Sequence, residues 1–315
     1  MKPEIAVLGS VWTEEVLRAL DGNYTCHFPA RMAPDDRAAF ERTVAPRIRA
    51  VLTTGTVGLD AAGAAVYPRL EIVSVHGVGV EAVDLAAMAA RGIVVTNTPD
   101  VLTDDVADLA ASLLLTVSRR LPLLDRYVRA GHWEEKRPLQ PARSLRGKVA
   151  GIYGYGRIGQ AVASRLRAFG MEIRYFQRSA GPEPQLRCET LRELASVSDF
   201  LVLSAPGGAA TRHAVDAAVL DALGPEGTLV NIARGSVVDE AALVEALASG
   251  RLGAAALDVF ADEPRVPAAL REMDNVVLTP HVGSFTVETR RAMARLAVGN
   301  LEEHFAGRPA LTPVR

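Results

Sequence analysis

Short apolar runs alternate with amphipathic stretches from the start of the chain. Ile5–Leu8, Tyr24–His27, Ala50–Leu52, Ile72–Val75 and Val94–Thr96 read as strands. Between them, Glu14–Leu20, Asp35–Ala45, Asp60–Ala65 and Leu85–Ala90 read as helices. Such alternation predicts a parallel sheet covered by helices on both faces. The strands lack a strict period of two, as expected where both faces are buried.

Asn97-Thr98-Pro99-Asp100 interrupts the pattern, and a helix over Thr103–Arg119 follows, with Asp104, Asp105 and Asp108 near its positive end. Leu121–Arg146 is richer in charge and carries Pro122, Pro138 and Pro141, so it is expected to wrap over the surface. A second α/β series begins at Lys148. Its strands are Val149–Tyr153, Ile173–Phe176, Phe200–Ser204, Thr228–Ile232, Ala254–Leu257 and Val276–Thr279. Six strands match the two mononucleotide halves of a doubly wound nucleotide-binding domain. A long helix over Thr286–Ala306 has no strand after it and is expected to return to the first domain.

Hydrophobic residues make up 49% of the 315 and charged residues 23%, which excludes a disordered or collagen-like chain. Lys plus Arg is 35 against 37 Asp plus Glu, a net charge of -2, so no basic excess suits nucleic acid or an anionic membrane. No uncharged run approaches the ~18 residues that span a bilayer. Glu4 follows Lys2 almost at once, and the apolar stretch Ile5–Leu8 is only four residues, so no signal peptide is expected. Cys26 and Cys188 lie far apart in such a chain, and no disulfide framework is expected. The expectation is a soluble, cytoplasmic, two-domain protein.

Candidate chemistry begins at Gly154-Tyr155-Gly156-Arg157-Ile158-Gly159, directly after the strand Val149–Tyr153. In this G-x-G-x-x-G turn, Gly154 permits the tight bend. Gly156 removes the Cβ that would block a pyrophosphate, and Gly159 lets helix approach strand. The amides of Arg157 and Ile158 would then face phosphate from the helix N-terminus. Further polar residues sit where later strands end: Arg234 after Asn231-Ile232-Ala233, Asp258 and Glu263 after Ala254–Leu257, and His281 within Thr279-Pro280-His281-Val282-Gly283. Ligands bind outside the carboxyl ends of strands in such sheets. A guanidinium forks onto a carboxylate and an adjacent carbonyl oxygen. An imidazole beside a carboxylate gives or takes a proton near neutral pH. With a nicotinamide, this set suits hydride exchange with a 2-oxo acid.

Over essentially its full length the chain resembles the D-isomer-specific 2-hydroxyacid dehydrogenase family, in its glyoxylate/hydroxypyruvate reductase-like branch. The resemblance rests on Gly154–Gly159, Asn231–Ser236, Leu257–Pro264 and Leu278–Ser284, long blocks in the family's order. It implies two doubly wound parallel-sheet domains: a Rossmann-type cofactor domain over 99–286 and a flavodoxin-like substrate domain over 1–98 plus 287–315. It implies Arg234 on the substrate carboxylate and carbonyl, His281 as acid/base and Glu263 as its partner. Backbone amides of the turn at Val78 and Gly79 would hold the carboxylate as well. Asp258 would contact the nicotinamide carboxamide, and Ile232, Ala233 and Gly283 would bind the cofactor. A homodimer is implied, with Leu109, Leu113, Leu114 and Val117 at its contact and Trp133 close to the pocket. His76 is expected to be a hydrogen-bonded histidine near a strand end. The other histidines and both cysteines lack companions at ligand spacing, so no metal is expected.

The strand Ile173–Phe176 ends at Gln177-Arg178-Ser179, with Gln177 18 positions past Gly159, where an acidic residue would accept the ribose hydroxyls of NADH. Gln177 repels no phosphate, Arg178 can pair with one and Ser179 can donate to it. NADPH is therefore expected to outcompete NADH. The expected substrate is a small 2-oxo acid such as glyoxylate or hydroxypyruvate. A larger one, such as hydroxyphenylpyruvate, is the alternative, since Phe285 stands where a small residue is expected. A corepressor-like nucleotide sensor is the reading from another class, and turnover separates it from an enzyme.

Overall fold

The computed structural model describes residues 2–9, 14–20, 22–179 and 181–314. The chain divides into two compact units, Met1–Leu102 with Ser284–Arg315, and Thr103–Gly283. The first contains β1 (Glu4–Val7), α1 (Glu14–Leu20), β2 (Thr25–His27), α2 (Pro34–Thr43) and β3 (Ala50–Thr54), followed by α3 (Ala61–Ala65), β4 (Ile72–His76), α4 (Leu85–Ala90) and β5 (Val94–Thr96). The second begins with α5 (Thr103–Ser118), α6 (Leu121–Arg129), β6 (Val149–Tyr153), α7 (Arg157–Ala168) and β7 (Glu172–Phe176). It continues with α8 (Leu191–Ser196), β8 (Phe200–Leu203), α9 (Ala217–Leu223) and β9 (Thr228–Asn231). It ends with α10 (Glu240–Ala248), β10 (Ala254–Leu257), α11 (Ala268–Glu272) and β11 (Val276–Leu278), after which α12 (Val287–Phe305) rejoins the first unit.

Local chemistry starts many of these helices. Asp60, Asp84, Thr190, Asp216, Asp239 and Thr286 each accept the backbone N–H three residues on, satisfying an amide that the helix leaves open. The central strands β3, β4, β6, β8 and β9 are buried almost throughout, as two-sided coverage requires, while β2 and β11 at the sheet edges are not.

In the first unit five parallel strands take the order β2-β1-β3-β4-β5, the flavodoxin-like arrangement. Phe40, Tyr67 and Met88 pack with Val51 and Val73 in one core cluster. In another, Ala294, Ala297, Val298 and Leu301 of α12 pack with Ile5, Leu52 and Ile72. Small residues on α12 permit close approach to the sheet, and the Ser74 hydroxyl donates to the Ala297 carbonyl at 2.8 Å.

In the second unit the parallel order is β11-β10-β9-β8-β6-β7. The six strands expected from sequence are present, but they are not two sets of three. The third position of the first half is reduced to a single parallel bridge between Tyr175 and Arg187. With it counted, the arrangement is the Rossmann order with one added strand, β11. The segment from Leu121, expected to wrap over the surface, begins there as the helix α6, which buries none of its residues. Pro122 lies in its first turn, where a missing N–H costs nothing. Of the residues expected at a dimer contact, Leu113, Leu114 and Val117 are buried and offer no surface to a partner, and Leu109 is half-buried. The exposed apolar side chains nearby are Leu121, Val128, Trp133 and Leu139. No helix among the described residues is long and apolar enough to cross a membrane.

Candidate active site

Every candidate group of the second unit sits at the carboxyl edge of its sheet. At the end of β6, Gly154 takes φ 94°, and a Cβ there would lie 2.5 Å from the Ala205 amide nitrogen. A Cβ on Gly159 would lie 2.1 Å from the Gly154 carbonyl, so helix α7 touches the turn. Gly156, by contrast, has nothing within 4 Å of its Cβ position. It starts α7 with no side-chain hydrogen bond at the cap, and the positive end of a helix favours an anion. Arg157 is exposed and Ile158 half-buried beside it. These residues fit a dinucleotide pyrophosphate. Ser204, at the end of β8, holds the turn by donating to the Gly154 carbonyl at 2.6 Å.

The Arg234 loop is folded by Asn231, whose buried amide accepts from Ala233 N at 3.0 Å and donates to the Arg234 carbonyl at 3.0 Å. Gly235 then packs so tightly that a Cβ would lie 1.9 Å from the Phe260 carbonyl carbon. This approach sets the Arg234 loop against the loop that carries Glu263. Asn231 and Gly235 carry no chemistry themselves, and nothing in the sequence pattern assigns them a role. An Asn before a turn and a Gly after a functional Arg are the signals that could have marked them.

Glu263 accepts from His281 Nδ1 at 2.7 Å through Oε2 and from the Phe260 amide at 3.1 Å through Oε1. Burial opposes ionisation of Glu263. The hydrogen bond and charge of His281, the Phe260 N–H and the charge of Arg234 outweigh it and hold the carboxyl below its ordinary value of 4.5. Glu263 is thus a fixed negative charge near neutral pH. With Nδ1 committed to Glu263, Nε2 is the His281 atom placed to exchange a proton.

His281 itself adopts φ 54°, the left-handed region that non-glycine residues rarely occupy. Asp258 holds it there. Its carbonyl accepts from His281 N at 2.8 Å. Its buried carboxylate accepts from Thr279 Oγ1 at 2.6 Å, Val282 N at 2.8 Å and Gly283 N at 2.9 Å. Asp258, expected only as a nicotinamide contact, is therefore also the brace of the histidine turn. Ile232 and Ala233 are buried at the end of β9.

After β7, the Gln177 side chain points to the glycine turn, where Oε1 accepts from Tyr155 N at 3.1 Å. Arg178 and Ser179 are exposed beyond it.

In the first unit, the Gly77 and Val78 carbonyls are taken by the Thr98 N–H and the Asn97 side-chain amide, each at 2.8 Å. The Val78 and Gly79 amides donate to no backbone carbonyl among the described residues. A Cβ on Gly55 would lie 2.6 Å from the Gly79 carbonyl, so that turn also depends on a glycine neighbour. His76 is buried at the end of β4, where burial first and the charge of Arg290 second push its imidazole down to about 4. No group of three or more His, Cys, Asp or Glu side chains among the described residues could hold a metal ion.

Comparison with known proteins places this geometry. The model of the "D-isomer specific 2-hydroxyacid dehydrogenase, NAD binding domain" matches residues 111–283. The chain is 52% identical to glyoxylate/hydroxypyruvate reductase A of Arabidopsis thaliana, over 85% of each chain. It is also 52% identical to hydroxyphenylpyruvate reductase of Plectranthus scutellarioides, over 86% of each. Among solved structures, the NADPH-dependent glyoxylate/hydroxypyruvate reductase of Sinorhizobium meliloti, in complex with NADP and malonate, superposes with a TM-score of 0.90 at 43% identity. That match covers 100% of this chain and 97% of the other.

Proposed function

The chain belongs to the D-isomer-specific 2-hydroxyacid dehydrogenases, in their glyoxylate/hydroxypyruvate reductase-like branch, and on that premise we propose that it reduces glyoxylate and hydroxypyruvate with NADPH as preferred donor. That it is an NAD(P)-dependent 2-oxo acid reductase follows from the family itself. The observation that carries the residue assignment is the His281–Glu263 pair beside Arg234.

When bound, a nicotinamide would supply a hydride for C2 of the substrate. Arg234 forks onto the substrate carboxylate and carbonyl oxygen, drawing electron density from C2. His281 Nε2 donates a proton to that oxygen, and the product is a D-2-hydroxy acid. Glu263 fixes the ring's orientation and stabilises its charged form. The Val78 and Gly79 amides are assigned to the substrate carboxylate. Asp258, Ile232, Ala233 and Gly283 are assigned to the nicotinamide end, and Gln177, Arg178 and Ser179 to the ribose end. The protein is proposed to work in the cytoplasm as a homodimer, with Leu121, Val128, Trp133 and Leu139 at the contact.

A larger substrate is a second reading, favoured by the hydroxyphenylpyruvate reductase relative and by Phe285, which is 64% exposed. A panel of 2-oxo acids assayed with NADPH and NADH decides between them. A higher kcat/KM with NADH would refute the cofactor preference, and a higher value on hydroxyphenylpyruvate than on glyoxylate or hydroxypyruvate would refute the substrate class. Gln177→Asp with Arg178→Ala should erode an NADPH preference of about 10- to 100-fold, the worth of one hydrogen bond to a charged group.

A further inference from the structure

Tyr155 occupies the position between the first two glycines of the turn, yet its side chain turns down into the unit and is 1% exposed. Its ring lies flat on Tyr175, with centroids 4.1 Å apart and planes 8° from parallel. Its hydroxyl donates to Glu183 Oε2, and Arg167 in the last turn of α7 donates to both oxygens of Glu183 at 2.7 and 2.9 Å. Three separate elements meet there: the glycine turn, the end of α7 and the loop that follows β7.

The same loop is tied at its near end. Gln177 Oε1 accepts the Tyr155 N–H at 3.1 Å, and Arg187 Nε donates to the Gln177 carbonyl at 3.3 Å. Gly181 presses so closely on Tyr175 that a Cβ would lie 2.6 Å from its hydroxyl. Arg178 and Ser179, the exposed residues assigned to the ribose, lie between these anchors. A loop anchored at several of its residues in the free protein forfeits less freedom when it binds.

We propose that Tyr155, Glu183 and Arg167 form a clamp that fixes the loop after β7 against the glycine turn and so sets affinity for the adenosine-ribose end of the cofactor. This rests on the assignment of that loop to the ribose. The donor and acceptor roles are settled by environment. Burial first and Glu183 second push the Tyr155 phenol up to about 12, so it stays protonated. The hydrogen bond from Arg167 first and that from Tyr155 second hold the Glu183 carboxyl below its usual range.

The test is calorimetric binding of 2′,5′-ADP and 5′-ADP to cofactor-free protein, with hydrogen exchange of the loop and steady-state kinetics alongside. Tyr155→Phe, which keeps the stack and removes only the hydroxyl, should weaken 2′,5′-ADP by about 3- to 10-fold and speed exchange in the loop. Glu183→Ala should weaken it in the same direction and raise KM for NADPH, while kcat at saturating NADPH stays within about 2-fold. The double variant should bind no worse than Glu183→Ala alone, since that variant already removes the acceptor of the Tyr155 hydroxyl. Glu183→Ala discriminates by sign, because deleting a nearby negative charge would by itself strengthen phosphate binding. A gain in 2′,5′-ADP affinity, unchanged affinity in Tyr155→Phe, or additive losses in the double variant would each overturn the clamp. If the wild type holds 5′-ADP as tightly as 2′,5′-ADP, the NADPH preference fails by itself. The clamp is then judged on 5′-ADP by the same variant-to-wild-type ratios.

Discussion

Glu263→Gln is the sharpest test of the acid/base assignment, because it removes a charge and keeps the shape. In the structure one carboxylate serves two donors, His281 Nδ1 at 2.7 Å and the Phe260 amide at 3.1 Å. A glutamine has only one acceptor oxygen, so it satisfies one of them and turns its NH2 on the other. Two unit charges about 4 Å apart attract by about 4 kcal/mol at an effective dielectric of ~20. The His281 side chain is 37% exposed and that of Glu263 27%, so solvent screens much of this attraction. About 1–2 kcal/mol remains, which corresponds to about 5- to 30-fold in rate. The assay is kcat for reduction at neutral pH, with both substrates saturating. His281 gives up its proton while held and oriented by Glu263, so kcat should fall by about that factor in the variant. Glu263 itself sets a second readout, in stability. The carboxyl of Glu263 is held below its ordinary value of 4.5, so its contribution to stability is complete above that pH and lost as pH falls through the lower folded value. Thermal melting of the wild type should therefore lose that increment below about pH 4.5, and the glutamine variant should not show it. A kcat within about 2-fold of the wild type in the variant would refute the pairing as part of the acid/base machinery.

Arg234→Ala should lower kcat/KM by at least about 100-fold, with Arg234→Lys between it and the wild type, since charge survives without the fork; wild-type turnover by the alanine variant would remove Arg234 from the mechanism. His281→Ala should lose about 10²–10⁴-fold in kcat, measured at saturating substrate, and retention of more than a tenth of wild-type kcat would contradict its role as acid. Gly235→Ala places a methyl 1.9 Å from the Phe260 carbonyl carbon. It should lower the melting temperature and activity together, with a loss of about 3 kcal/mol read from denaturant unfolding; a neutral substitution would show that the two loops need not touch. Sedimentation at micromolar concentration should find a dimer, and Trp133→Ser with Leu139→Ser should shift it toward monomer. A wild-type monomer would reject the proposed contact.

Much of this protein is legible in its amino-acid sequence, for a physical reason in each case. Buried parallel strands must be short, apolar and alternate with helices, so the strands and the helices α5, α7 and α12 are marked in the sequence with errors only at their ends. Gly154 and Gly159 are readable because a tight turn and a close helix crossing each forbid a Cβ, and Gly156 because a bare backbone leaves room for a pyrophosphate. Arg234, Glu263 and His281 stand out because polar residues at strand ends fall on one sheet edge, which makes them neighbours without their being close in sequence.

Other features depend on how separate loops meet, and no local pattern encodes that. The helix α6 is hidden by prolines and charge that suit a loop equally well. Leu113, Leu114 and Val117 have the spacing of an interface and of a core alike, and only packing buries them within α5's unit. The bracing of the histidine turn by Asp258, 23 positions earlier in the chain, requires β10 and β11 to lie side by side. The contact between Gly235 and Phe260 likewise requires β9 beside β10. The sequence by itself determined which residues reach the carboxyl edge of the sheet, because strand direction and period dictate that. Tertiary structure decided which of them touch, because hydrogen bonds between loops depend on ångström-scale approach that apolar periodicity does not specify.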